Sequence, residues 1–134
     1  MTTPQAAARL AAHRRTAEAY TRDTILPAFA TLQEELHQPA QQRFVTIQSD
    51  TPTSATLTIA PRPLDAGASV SGARVLRYGL AIAVDPQTIV VKRTVNGRTG
   101  GFLGQWFVSS LTRQAIVDDV RRLWRRAATE GTHR

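Results

Sequence analysis

The chain has 134 residues, no cysteine, and seventeen basic against ten acidic side chains, for a formal charge of +7. This length fits one folded domain, residues 1–134, with enough buried apolar surface to stand without covalent staples. The missing cysteine excludes a disulfide framework, thiolate zinc sites and cysteine nucleophiles.

No apolar run approaches the roughly 18 residues of a membrane span, and the start MTTPQAAARLAAHRR lacks the ordered regions of a secretory signal, so a cytoplasmic protein is expected. Lys92 is the single lysine, and the bias toward arginine and alanine fits a bacterial, GC-rich genome. The positive charge still favours polyanions as partners. Residues 1–40 are neutral overall, so the excess falls on 41–108 (+4) and 109–134 (+3).

Residues 1–40 favour helix. Thr3 is placed to cap and Pro4 suits the first helical position. Pro27 removes a backbone donor and crowds the preceding turn, which predicts either one helix kinked there or a second helix starting at Asp23 or Thr24. Ile25, Leu26, Phe29, Leu32 and Leu36 form a stripe fit to pack on a sheet. Ala7, Leu10, Ala11, Ala17 and Tyr20 form a weaker one, so the first half is expected to project or to meet another subunit, with Leu10 and Tyr20 as candidate contacts.

From residue 41 to 108 the apolar period changes from 3.6 to 2, the signature of strands. Strands are predicted at Phe44–Ser49, Ala55–Ala60, Arg74–Val84, Ile89–Val95 and Phe102–Val108. In the third, Leu76, Tyr78, Leu80, Ile82 and Val84 share one face. Asp85-Pro86-Gln87 reads as a tight turn and Asn96-Gly97 as a hairpin turn, so neighbouring strands should run antiparallel. Residues 61–73, rich in Pro, Gly, Ala and Ser, read as a mobile loop.

Residues 109–128 predict an amphipathic helix, with Ile116, Val117, Val120, Leu123, Trp124 and Ala127 on its apolar stripe. Ser109 or Ser110, with Thr112 as a third choice, should cap it. Residues 129–134 read as a frayed tail. The fold class is α+β: an N-terminal helix, an antiparallel sheet of about four to five strands, and a C-terminal helix, both helices on one sheet face.

The sequence displays no assembled chemistry. The histidines at 13, 37 and 133 lack ligand spacing, so no metal or other cofactor is expected. Asp118 and Asp119 are adjacent and diverge on a helix; Asp118 is expected to pair with Arg122. The glycine-rich segment Asn96–Gly104 runs into apolar strand residues, not into the helix that a phosphate loop requires.

Two classes of partner remain. The first is another protein or a second copy, engaged by a non-enzymatic module through Leu10, Tyr20, Trp106 and Phe107, the last two pointing to opposite faces by alternation. The alternative is a DNA or RNA backbone bound by Arg77, Lys92, Arg93, Arg98, Arg121, Arg122, Arg125 and Arg126, because guanidinium groups suit phosphate oxygens. A small enzyme with an unrecognised site is a further alternative.

Overall fold

The computed structural model describes residues 3–61, 75–99 and 105–131. The helical segment begins at α1 (Pro4–Tyr20), where the Ala6 amide donates to Thr3 Oγ1 at 3.0 Å. It passes through a wide turn (Thr21–Ile25) into α2 (Leu26–Leu36). No separate helix starts at Asp23 or Thr24: the helical run is unbroken from Pro4 to Leu36. Instead the Leu26 amide reaches back five residues to the Thr21 carbonyl, widening the helix by one residue ahead of the proline. The Asp23 carbonyl, four residues before Pro27, can receive no amide from it. Arg113 Nη2 donates to that carbonyl at 3.3 Å, so a side chain from the last helix supplies the bond the proline cannot make.

A short 3₁₀ turn (Pro39–Gln41) leads to β1 (Phe44–Thr51), followed by β2 (Ser54–Ala60), β3 (Leu76–Val84) and β4 (Ile89–Val95) in antiparallel succession. Two short strands, β5 (Arg98–Thr99) and β6 (Gln105–Phe107), share the far edge of β4. The chain closes with α3 (Arg113–Gly131). Its cap is Thr112, whose Oγ1 accepts from the Ala115 amide at 3.1 Å. Ser109 and Ser110 belong to the turn before it, where the Ser110 amide donates to the Phe107 carbonyl.

The predicted face of β3 is the core face. Leu76, Tyr78, Leu80 and Ile82 are buried beside Leu57, Ile59 and Val91 from the neighbouring strands. Against them pack Phe29 and Leu32 of α2 and Ile116, Val120 and Trp124 of α3. All three helices therefore cover one side of the sheet. Of the expected strand Phe102–Val108, Gln105–Phe107 is strand and Val108 belongs to the following turn. Positions 62–73 of the expected loop, the first residue of the expected strand Arg74–Val84, residues 100–104 and residues 132–134 of the tail lie outside the described residues.

The turns follow their chemistry. Asp85 Oδ1 accepts from the amides of Gln87 and Thr88 at 2.7 and 2.6 Å, and these bonds hold its carboxyl below the usual range. Asn96 and Gly97 both have positive φ, 52° and 82°, as a two-residue hairpin turn demands. Gly97→Ala leaves the surroundings clear but puts a Cβ in left-handed backbone. It is expected to cost about 1–2 kcal/mol in urea unfolding.

The outer edge of β1 is closed by side chains. Gln33 Nε2 donates to the Val45 carbonyl at 2.9 Å and the Val45 amide donates to His37 Nδ1 at 3.0 Å. Two backbone groups that an edge strand would otherwise offer to another chain are thereby occupied.

Candidate functional site

Two features stand out where the fold brings polar or exposed groups together. The first is a buried ionic cluster between β4 and α3. Arg93 follows Val91 by two residues in β4, so alternation points both toward the helices. Asp119 follows Ile116 by three residues on the buried side of α3. Arg93 Nη1 donates to Asp119 Oδ1 and Oδ2 at 2.9 and 2.7 Å, and each side chain is 10% exposed. Tyr78 Oη adds a donor to Asp119 Oδ2 at 2.8 Å, and Arg122 donates to Oδ1 from the solvent side. Burial alone would raise the Asp119 pKa, yet the bonds from Arg93, Arg122 and Tyr78 outweigh it and hold the carboxyl below its ordinary range. Burial, reinforced by the Asp119 charge, pushes the Tyr78 phenol far up.

Arg93 is thus removed from the expected set of phosphate contacts: at 8% exposure it faces the core. Arg122 pairs with Asp119, not with Asp118 as the four-residue spacing suggested. Asp118 instead accepts from Gln114 at 2.9 Å and lies 3.6 Å from Arg121. Arg121 also grips Glu35 of α2 through two bonds, at 2.9 and 2.7 Å. Arg121 therefore joins α3 to α2, while Arg122 is engaged within α3 on Asp119. Arg125 and Arg126 are exposed on the same helix.

The second feature is the uncovered side of the sheet. The outward positions of β3 are Arg77, Gly79, Ala81 and Ala83. Three of these four carry at most one side-chain carbon, so β3 forms the floor of a trough. Asp50, Thr56, Arg77 and Thr94 border it, and it encloses about 380 Å³. Ala83 pairs with Val90, and Val90 with Phe107, giving an apolar row across β3, β4 and β6. Phe107 ends that row and is 61% exposed. Lys92 is exposed on the same side, one pair further along.

Alternation separated Trp106 from Phe107 as expected. Trp106 turns to the helix side and covers the Arg93 guanidinium at 5.3 Å. Tyr20, expected as an association contact, is buried, and its hydroxyl donates to the Leu111 carbonyl, anchoring the end of α1 to the lead-in of α3. Burial pushes its phenol up to about 12. Leu10 remains half-exposed. The Arg98 side chain lies outside the described ones.

Among the described residues no group of three or more His, Asp or Glu converges as a metal site, and no helix is long and apolar enough to cross a membrane. Comparison with protein-family models, with curated proteins and with solved structures finds no match to this chain.

The sequence reading missed the Arg93–Asp119–Tyr78 cluster. Its signal was present: one charged residue of each sign interrupts an apolar stripe, Arg93 among Ile89, Val91 and Val95, and Asp119 between Ile116 and Val120.

Proposed function

We propose that this chain is a non-enzymatic interaction module that associates with a second copy of itself through the uncovered sheet face. The observation that carries this reading is the position of Phe107, exposed on the same face as the trough over Gly79 and Ala81. A knob and a recess on one surface suit a two-fold interface, in which each copy seats its Phe107 in the recess of the other. Sheets pack face to face at about 10 Å, and small outward side chains suit so close an approach. Asp50 and Arg77, of opposite charge, both border the trough.

Sedimentation velocity over a concentration series tests the reading. The wild type is expected to move from monomer to dimer, and Phe107→Glu to remain monomeric with an unchanged far-ultraviolet spectrum. A wild type that stays monomeric at every concentration overturns it. Binding of a nucleic-acid backbone, through Arg77 and Lys92 on this face and Arg125 and Arg126 on α3, is the competing proposal. Its support is weaker because Arg93, Arg121 and Arg122 are engaged with carboxylates. Labelled DNA and RNA titrated at several salt concentrations separate the two, since phosphate binding falls log-linearly with salt.

A further inference from the structure

Gly79 marks where a partner arrives on the open face. A glycine in the middle of a strand weakens it, and the chain itself gives no reason for this one. Gly79 has no positive φ, and the registers of β3 with β2 and β4 run past it without a bulge. A Cβ placed on it would meet Thr56 Oγ1 at 3.6 Å and the Thr94 Cβ at 3.8 Å, which are ordinary contacts. What the missing side chain leaves open is the trough above it.

The strand pairings then locate the axis of the proposed dimer. Gly79 of β3 pairs with Thr94 of β4, and Phe107 of β6 pairs with Val90 of β4. Lys92 stands halfway between Val90 and Thr94 on the intervening strand, with Ala81 on one side and Gln105 on the other. It is the midpoint of the line from Phe107 to Gly79. A two-fold that exchanges a knob with its recess passes through their midpoint, and a residue on the axis meets its own copy. Two Lys92 ammonium groups are thus brought together.

No described residue neutralises them. Lys92 is exposed and forms no ion pair among the described residues. Asp50 lies on β1, three strands from β4, and accepts from Thr56 Oγ1 at 2.8 Å. Asp85, in the turn after β3, accepts from the amides of Gln87 and Thr88. Neither comes opposite Lys92 in the dimer, because the position across the axis is held by the other Lys92. The side chains of Ala81, Ala83 and Val90 beside it carry no acceptor.

We propose that a divalent tetrahedral oxyanion, of the sulfate and hydrogen phosphate class, bridges the two Lys92 ammonium groups on this axis and strengthens the dimer. Each ammonium donates to a different oxygen, and one dianion between two monocations replaces repulsion with attraction. The site rests on association through Phe107 and does not exist in the monomer.

Sedimentation velocity is repeated with low-millimolar sulfate or phosphate added in separate arms to a constant chloride background, too dilute for a general salt effect on burial. Either anion is expected to tighten the wild-type dimer about tenfold, and the arm that saturates at lower concentration identifies the preferred one. Lys92→Met keeps an apolar stem without the charge. It should dimerise in chloride at least as tightly as the wild type and respond to neither anion. Because the chain has no cysteine, Lys92→Cys supplies a single thiol, and a short bismaleimide should join two copies through it. Gln87→Cys, in the exposed turn away from the axis, should not be joined. A wild-type dimer equally tight in every arm, or a Lys92→Cys protein that dimerises without cross-linking, overturns the proposal and leaves association through Phe107 standing. A wild type that stays monomeric in every arm overturns both.

Discussion

Asp119→Ala is expected to lower the unfolding free energy by about 3–5 kcal/mol, because removing one partner of a buried ion pair strands the other. Arg93 would keep its charge at 8% exposure with no carboxylate beside it, and the Tyr78 hydroxyl would lose its acceptor. For a chain of this size the loss corresponds to a fall in Tm of about 10–20 °C. Urea unfolding measures it directly, and a loss under about 1 kcal/mol would show that Arg93 finds water or another acceptor. Combining Asp119→Leu with Arg93→Met should restore much of the stability, since apolar replacement of both partners removes the desolvation penalty.

The same carboxylate gives a pH dependence with a definite sign. Its folded pKa is depressed by the bonds from Arg93, Arg122 and Tyr78, which outweigh the effect of burial. A depressed folded pKa contributes stability that is present above the unfolded value of about 3.9 and is lost as pH falls through the folded value. Stability should therefore drop below about pH 4, and the drop should be shallower in Asp119→Ala. Asp85 is depressed as well, through the amides of Gln87 and Thr88, so part of the acid sensitivity should survive the substitution.

These effects rest on residues that local patterns read incompletely. Alternation placed Leu76, Tyr78, Leu80 and Ile82 on the core face because a strand buried on one side repeats every two residues. Asn96-Gly97 fixed an antiparallel turn because its positive φ values suit those residues. The charged pair escaped the same reasoning. Arg93 and Asp119 are 26 positions apart, and a charge on a face otherwise apolar is understood only when its partner is located. The wide turn before Pro27 was illegible for a related reason: its freed carbonyl is satisfied by Arg113, 90 positions away. Alternation put Trp106 and Phe107 on opposite faces without saying which is exposed, and the recess on the face of Phe107 depends on the pairing of β3 with β2 and β4. Short turns implied antiparallel neighbours without giving that register.

Phe29→Ala is the second substitution expected to be severe, at about 3–5 kcal/mol in urea unfolding. Phe29 is fully buried and meets the Tyr78 ring edge-on, with centroids 6.1 Å apart and planes at 81°. It belongs to the stripe that holds α2 on the sheet. Phe29→Leu keeps most of that volume and should cost less than about half as much. Because Phe29 packs on Tyr78 and Tyr78 donates to Asp119, losses from Phe29→Ala and Asp119→Ala should not add: a coupling of about 0.5–3 kcal/mol is expected in a double-mutant cycle. Additivity within about 0.5 kcal/mol would show that the ring contact and the phenol's hydrogen bond act separately. Tyr78 and Phe107 face opposite sides of the sheet, so under conditions where Phe29→Ala remains folded the proposed dimerisation should be the same in it as in the wild type. A core substitution that changed dimerisation would mean that the sheet transmits packing strain from its helix side to its open face.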